Sequence, residues 1–195
     1  MGLTLESGQL AGWSVFMQPN GAWGWTVGDG KNRLDYLPTT KQRINDGKWH
    51  QIAMSFYIDK KTAWLYFDGR HVAIYSLAEL GLSKKDLNEN IVFSTNARFS
   101  IRKKKVGKLS VETEDNYLID TPDKLTVMSW NIWHGARHNG VELGIDQTIK
   151  AIRSSEANLV CMQETYGSGP AISDALGTIF YYRSSNLSVH SKYPI

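Results

Sequence analysis

The spacing of apolar residues changes near residue 120, and this change limits what the chain can fold into. Before that point, short apolar runs are separated by Asn-Gly, Asp-Gly and Asp-Lys-Lys sequences, and no run before residue 77 has a helical period. Strand-length runs bounded by such turns are typical of antiparallel hairpins. After that point, strands and helical segments alternate. A chain of 195 residues has room for both kinds of unit.

The first part of the chain predicts an antiparallel β-sandwich over residues 1–118. We expect two of its strands in the tail of this part, and we place a linker at residues 119–123, where periodicity is absent and a proline occurs. The runs predicted as strands are GWSVFMQ, WGWTVG, RLDYL, WHQIAMSFYI, TAWLYF and RHVAIYSL, followed by IVFSTNARFSIRKKK and GKLSVET.

Residues 124–195 predict an α/β unit. LTVMSW and ANLVCMQ are apolar strands, and between them Ile145, Ile149 and Ile152 fall on one face of a helix of about three turns. PAISDALG begins with proline and ends with glycine, as a short helix does. IFYYR and NLSVHS then read as a hairpin.

Polar residues stand where the two predicted strands end. A strand–helix–strand crossover makes its strands parallel, so Asn131 and Glu164 are expected at the same edge of the sheet. Amide and carboxylate oxygens of this kind suit Mg²⁺ or Mn²⁺. Spacing alone favours the alternative, in which Asn131 caps a turn and Glu164 is a solvated strand end, because polar residues are common at strand ends.

Three segments of this unit carry a family resemblance: LTVMSWNIWHG (125–135), ANLVCMQET (157–165) and NLSVHSKYPI (186–195). In order and spacing they resemble the first half of the endonuclease/exonuclease/phosphatase superfamily, the DNase I-like metal-dependent phosphoesterases. The resemblance implies the first half of a DNase I-like α/β sandwich and hydrolysis of a phosphate ester by a metal-activated water. The substrate class stays open between nucleic acids, sugar or inositol phosphates and phospholipid headgroups.

The resemblance also implies roles for individual residues. Glu164 is expected to anchor Mg²⁺ or Mn²⁺, and Asn131 to bind the metal or orient a phosphate oxygen. His134 is a further catalytic candidate. His138 and Tyr166 are candidates for substrate binding. Two neighbours are expected to be structural, with Trp133 packed beneath its loop, the alternative being that its ring stacks on a base, and Cys161 in the core.

The chain departs from the superfamily by ending at Ile195. It lacks the Gly-Asp-x-Asn segment and the closing Asp-His pair that the second half of such enzymes supplies. We therefore expect an excerpt of a longer enzyme that is a poor catalyst by itself.

The first part has its own resemblance, carried by DGKWHQIAMSFYIDKKTAWLYFDGRHVAIYS (46–76). It is similar to the laminin G-like, concanavalin-type jelly roll, and the likeness covers residues 8–118. Such modules bind glycans, proteins or Ca²⁺, or space other domains. We expect Trp49 to lie in the core, on the opposite side of a strand from His50, and Asp68-Gly69 to form a tight turn. Trp23 and Trp25 fit either a core or a sugar-stacking platform.

Composition adds limits rather than a function. The net charge of +3 does not indicate a polyanion partner. The basic run at 102–105 is expected to be a solvated loop or a guarded edge strand, the alternative being a run that attracts phosphates. With one cysteine no intrachain disulfide forms, and no membrane-spanning run or signal peptide is visible. The resemblances imply a secreted, periplasmic or cell-surface bacterial protein. Two hypotheses result: a phosphoesterase with an accessory β-sandwich, or a glycan- or protein-binding module attached to a catalytically incompetent α/β remnant.

Overall fold

A computed structural model describes residues 11–82, 124–138, 140–184 and 186–193 of the chain. The strands are β1 (Ala11–Met17), β2 (Trp23–Asp29), β3 (Arg33–Tyr36), β4 (Ile52–Tyr57), β5 (Thr62–Phe67), β6 (Arg70–Ser76), β7 (Val127–Asn131), β8 (Leu159–Gln163), β9 (Ile179–Ser184) and β10 (Leu187–Ser191). The helices are the one-turn α1 (Trp133–Ala136), α2 (Val141–Ser155) and α3 (Gly169–Leu176), and a 3₁₀ turn covers Thr40–Gln42.

The strands form two sheets, one of three strands in the order β1-β2-β3 and one of seven in the order β4-β5-β6-β9-β10-β8-β7. Hairpin pairs are antiparallel, as their turn sequences predict. Two pairs are parallel, β7 with β8 and β6 with β9. The predicted crossover therefore makes neighbouring parallel strands, as expected.

The turn between β5 and β6 has the backbone conformation that its Asp-Gly sequence predicts. Asp68 and Gly69 have φ angles of 48° and 76°, a backbone conformation that glycine and aspartate adopt more readily than other residues. The predicted tight turn is confirmed. The side chain of Asp68 then accepts hydrogen bonds from the Gln51 backbone N–H and from the His50 ring.

The first core cluster lies between the two sheets. Trp23 and Trp25 are fully buried there, so the core alternative holds for both. Trp23 Nε1 donates to Gln42 Oε1 at 2.7 Å, and Trp25 meets the Tyr75 ring edge-on at 5.2 Å. Phe180 belongs to the same cluster. Burial of several aromatic rings makes this cluster a main source of stability.

The second core cluster lies where the helices cover β7 and β8. Ile149 and Ile152 of α2 are buried, as their spacing predicts, and they pack with Val160, Met162 and Ile172. Helix α3 begins with proline in its first turn and ends at Gly177 in the left-handed conformation. Within the described residues, no helix is long and apolar enough to cross a membrane.

A polar network joins α3 to the loop after β3. The Asp174 carboxylate is buried and accepts from the Thr39 N–H at 3.0 Å, from the Thr39 hydroxyl, and from Gln42 Nε2 at 2.9 Å. Lys41 Nζ donates to the carbonyls of Asp174 and Ala175 at 3.3 and 2.8 Å. The α/β part and the first part of the chain are thus linked by hydrogen bonds as well as by the β6–β9 pair.

The expectation for Trp49 is wrong. Its side chain is 77% exposed, because β4 begins only at Ile52 and Trp49 lies in the preceding loop. Instead the His50 ring is held in that loop, with Nε2 2.9 Å from Asp46 Oδ1 and Nδ1 2.8 Å from Asp68 Oδ2. These two carboxylates raise the pKa of His50 through their hydrogen bonds.

The mainly β character of the predicted fold is confirmed. The finer description, a jelly-roll domain followed by half of a DNase I-like sandwich, stays a prediction, as does the division at residues 118 and 124. The predicted tail strands and linker lie outside the described residues. The seven-stranded sheet includes strands from both sides of that predicted boundary.

Candidate functional site

Asn131 and Glu164 meet at the carboxyl ends of the parallel strands β7 and β8. Asn131 pairs with Gln163, which places Glu164 one residue beyond the end of the ladder. Asn131 Nδ2 donates to Glu164 Oε1 at 2.9 Å, and the His134 backbone N–H donates to Oε2 at 3.0 Å. These two hydrogen bonds, the one from Asn131 first, lower the pKa of Glu164. The edge therefore holds an ionised carboxylate.

The segment after Asn131 is a strained turn. Trp133, His134, Gly135 and Ala136 have φ angles of 47°, 46°, 67° and 61°. For a residue other than glycine the left-handed conformation costs about 1 kcal/mol or more. Two of its backbone N–H groups donate hydrogen bonds to the residues at the strand ends. The Trp133 N–H donates to Asn131 Oδ1 at 2.9 Å, and the Gly135 N–H donates to the Glu164 carbonyl at 2.7 Å.

Gly135 is required where this turn meets the next one. A Cβ atom on Gly135 would lie 2.8 Å from Ser168 Oγ and 3.1 Å from the Thr165 carbonyl oxygen. Ser168 Oγ instead donates to the Gly135 carbonyl at 2.6 Å. The loops after β7 and β8 are thus joined by this side-chain-to-backbone hydrogen bond and by the backbone hydrogen bond from the Gly135 N–H to the Glu164 carbonyl.

The turn after β8 is also strained and is held by a third element. Glu164 and Tyr166 have φ angles of 56° and 43°. The Glu164 N–H is 2.7 Å from both the backbone carbonyl oxygen and Oδ1 of Asn186, which lies just before β10. Among the described residues, eight non-glycine residues have positive φ, and five of them are in these two turns. Strain concentrated in this way is characteristic of functional sites.

Four rings line up above the carboxylate. His134 stacks on Tyr166 with centroids 6.0 Å apart and planes 16° apart. Trp133 lies 5.8 Å from His134 and 4.5 Å from His138. Trp133 and Tyr166 are 52% and 40% exposed. The prediction that Trp133 packs beneath its loop is wrong, because the left-handed turn directs its ring into solvent.

Arg137 was not predicted and belongs to the same edge. Its Nε lies 3.5 Å from where a Cβ on Gly135 would be, and its Nη2 lies 3.2 Å from the equivalent point on Gly167. Arg137 is exposed, and no described carboxylate lies within salt-bridge distance of it. A cation three residues after the predicted His134 was the sequence signal that could have identified it.

A buried row of hydroxyls and an imidazole supports the Glu164 turn and was also missed. Thr165 Oγ1 is 3.0 Å from Ser188 Oγ, which is 3.0 Å from His190 Nε2. All three residues are buried, and burial lowers the pKa of His190 to about 3. A neutral imidazole is therefore part of the local structure. Cys161, predicted to lie in the core, is only half-buried.

As a metal site the edge offers a limited donor set. In the part of the chain that the structure describes, no group of three or more His, Cys, Asp or Glu side chains is arranged to hold a metal ion. Glu164 is one surface carboxylate, and each of its oxygens accepts one hydrogen bond, which leaves acceptor capacity on both. Since Mg²⁺ commonly binds through one or two carboxylates plus waters and phosphate oxygens, Glu164 fits as a single protein ligand.

The predicted site residues are therefore brought together. Asn131 and the His134 backbone each donate a hydrogen bond to Glu164, Tyr166 contacts the His134 ring, and His138 joins them through the Trp133 ring. Comparison with protein-family models, with curated proteins and with solved structures gave no match for this chain.

Proposed function

We propose that this chain forms the metal- and phosphate-binding half of a hydrolase of phosphate esters. The observation that carries the proposal is the Asn131–Glu164 pair, in which an amide holds an ionised carboxylate at the joined ends of two parallel strands. The segments that resemble the endonuclease/exonuclease/phosphatase superfamily contain both residues. The superfamily's later catalytic segments do not occur in this sequence.

Each residue has a role that follows from its contacts. Glu164 provides the negative charge that attracts a divalent cation, and Asn131 keeps that carboxylate oriented and ionised. Arg137, His134 and His138 are exposed nitrogen donors on the same loop and suit the oxygens of a phosphate. When bound, Mg²⁺ or Mn²⁺ neutralises phosphate charge and lowers the pKa of coordinated water. Phosphoryl transfer depends mainly on such positioning and neutralisation.

A binding function for the β-rich part is the second candidate. Trp23 and Trp25 are fully buried and offer no sugar-stacking surface. Trp49, which is 77% exposed beside the Asp46–His50–Asp68 cluster, is the aromatic ring that favours glycan or protein binding. Glycan-array binding that is lost in Trp49→Ala and retained in Glu164→Gln is the result expected if this part is a binding module.

The hydrolase proposal is tested by Mg²⁺-dependent cleavage of phosphodiester and phosphomonoester substrates in the natural full-length protein that carries this chain. We expect Glu164→Gln to lower kcat/KM by at least 100-fold, on the order of what loss of a metal-anchoring charge causes. Glu142→Gln is the matched control, since Glu142 is an exposed carboxylate in the first turn of α2. It should keep wild-type activity.

Retained activity in Glu164→Gln would show that the metal ligand is assigned incorrectly. Absence of any phosphate-ester cleavage by the wild-type protein, over the common phosphodiesters and phosphomonoesters, would reject the hydrolase proposal itself.

A further inference from the structure

On the basis of the proposed function, we propose that the rings of Trp133 and Tyr166 form a subsite for a planar group next to the phosphate. The geometry points to a nucleobase, so that the substrate class is nucleotidyl phosphate esters rather than inositol, sugar or lipid-headgroup phosphates.

Ring exposure is the first observation behind this inference. Trp133 and Tyr166 are 52% and 40% exposed, whereas Trp23 and Tyr36 of the first core are buried; Trp49 and Tyr57 are also exposed, but neither lies at the strand ends that carry Asn131 and Glu164. A large exposed ring leaves apolar surface in water and gains from being covered by a ligand.

Backbone strain is the second observation. Trp133 and Tyr166 both have positive φ, which a bulky side chain rarely adopts. The Trp133 N–H donates to Asn131 Oδ1, and Tyr166 lies in the turn that is closed by the hydrogen bond from the Ser168 N–H to the Thr165 carbonyl, so both rings lie on the turns that follow the two strand ends. Strain that turns two rings outward at such an edge needs a functional account.

Ring arrangement is the third observation. Tyr166, His134, Trp133 and His138 form a continuous row with centroid separations of 6.0, 5.8 and 4.5 Å. The row begins beside Glu164 and ends at His138, which borders an open cavity of about 320 Å³ between α1 and α2. A base can stack on such a row whatever its sequence identity, because every base has a π-face.

Charge is the fourth observation and favours nucleotides over a neutral ring. Arg137 lies against Gly135 and Gly167, between the two turns that carry Trp133 and Tyr166. Its guanidinium has no described carboxylate partner within salt-bridge distance. A cation beside exposed rings matches a ligand that combines a phosphate with a flat base.

The test compares adenosine 5′-phosphate with ribose 5-phosphate, two phosphates that differ by the base. Both are titrated into the 195-residue chain with Mn²⁺ present, and heat is measured by calorimetry. We expect the adenosine nucleotide to bind about tenfold more tightly, as the loss of one stacking contact implies.

Substitution by asparagine removes each ring and keeps the backbone conformation, because asparagine tolerates positive φ. In Trp133→Asn and Tyr166→Asn, the affinity for adenosine 5′-phosphate should fall to that for ribose 5-phosphate, and the latter should be unchanged. Trp49→Asn removes an exposed ring elsewhere and should preserve the tenfold preference. Circular dichroism confirms that each variant is folded.

Glu164→Gln separates the subsite from the proposed function. This variant should bind both adenosine 5′-phosphate and ribose 5-phosphate more weakly in the presence of Mn²⁺, and the ratio of the two affinities should stay the same. Equal affinity of wild type for the two phosphates would overturn the nucleobase subsite while leaving the hydrolase proposal standing. Failure of both phosphates to bind wild type would overturn both.

A lipid surface is the other partner to which exposed rings can bind. Vesicles of phosphatidylcholine that bind wild type and not Trp133→Asn, with no preference for adenosine 5′-phosphate, would assign the rings to a membrane interface and reject the subsite.

Discussion

Asp174 and Glu164 are two carboxylates that each accept hydrogen bonds from both side-chain and backbone donors, and their surroundings differ. Asp174 of α3 is buried and accepts hydrogen bonds from Thr39 and Gln42, which lie in the loop after β3. Glu164 lies at the surface and accepts hydrogen bonds from the Asn131 side chain and the His134 N–H, both at its own edge of the sheet.

The surroundings of each carboxylate explain the difference. Asp174 is buried and accepts hydrogen bonds from Thr39 and Gln42, which would lose this partner without it; this is the position of a structural residue. Around Glu164, by contrast, the backbone is strained, rings are exposed and Arg137 is unpaired among described residues. A hydrogen-bonded carboxylate is thus a functional candidate when its neighbours include strained backbone, exposed rings and an unpaired cation. It is a structural candidate when its neighbours are buried and hydrogen-bonded to it.

Removal of the Asp174 carboxylate is expected to have the largest effect on stability. Asp174→Ala takes this partner from the buried Gln42 amide and from the half-buried donors of Thr39, and we expect a loss of about 3 kcal/mol in the free energy of unfolding. Urea denaturation measures it. Asp146→Ala, an exposed position on α2, is the control and should change stability by less than about 0.5 kcal/mol. Equal effects of the two substitutions would show that the Asp174 network is not structural.

The buried His190 predicts a pH dependence near the Glu164 turn. Burial lowers its pKa to about 3, so below the ordinary value of 6.5 the unfolded chain binds a proton that the folded chain does not. Stability should therefore fall as pH falls from 6.5 towards 3, by roughly 1.4 kcal/mol per pH unit from this residue. His190→Gln, which does not titrate, should have a shallower slope in urea denaturation over pH 4–6.5. Parallel slopes for the two proteins would contradict a neutral buried imidazole.

Gly135 and Gly177 have similar backbone angles, so alanine at each position should cause similar conformational strain. A difference between the two variants would then come from contacts of the new Cβ atom. Gly135 and Gly177 have φ of +67° and +72°, but only a Cβ on Gly135 meets other atoms, at 2.8 Å from Ser168 Oγ. We expect Gly177→Ala to cost about 1 kcal/mol and Gly135→Ala about 2 kcal/mol in thermal or urea unfolding. Identical costs would mean that the close approach of the two loops is not a constraint.

The smallest effect expected is on the titration of Glu164 itself. Asn131→Ala removes the hydrogen bond that most lowers the pKa of Glu164, so that pKa should rise towards the ordinary value of 4.5. Mn²⁺ binding, which needs the ionised carboxylate, should then be lost at a higher pH than in wild type as the solution is acidified. Gln147→Ala on the exposed face of α2 is the control. An unchanged pH midpoint would show that Asn131 does not act on Glu164.

The part of the site that the sequence could predict is the part set by strand topology. Parallel neighbours joined by a crossover bring their ends together, so Asn131 and Glu164 met as expected. Trp133 was mispredicted because the left-handed turn that contains it is held by hydrogen bonds from the His134 and Gly135 N–H groups to Glu164, about 30 residues away in the sequence. The parallel pairing of β6 with β9 is likewise a contact between distant segments that no local pattern records.

Strand positions were predicted by their turns, and errors occurred where loops extend. Trp49 was assigned to a strand because the apolar run begins there, but the ladder of β4 with β5 begins at Ile52. The preceding residues are held instead by His50 between Asp46 and Asp68, a contact across the hairpin that follows. A polar clasp of this kind leaves no periodic signal.

The central claim, that Glu164 is a functional carboxylate and Asp174 a structural one, is tested most directly by Mn²⁺ binding and thermal stability in Glu164→Gln and Asp174→Asn. Electron paramagnetic resonance of free Mn²⁺ gives the dissociation constant, and circular dichroism gives Tm. We predict that Glu164→Gln weakens Mn²⁺ binding at least tenfold, on the order of what loss of one ligand charge causes, and changes Tm little. Asp174→Asn should instead lower Tm by roughly 4 °C or more and bind Mn²⁺ as wild type does. Wild-type Mn²⁺ affinity in Glu164→Gln would contradict the account.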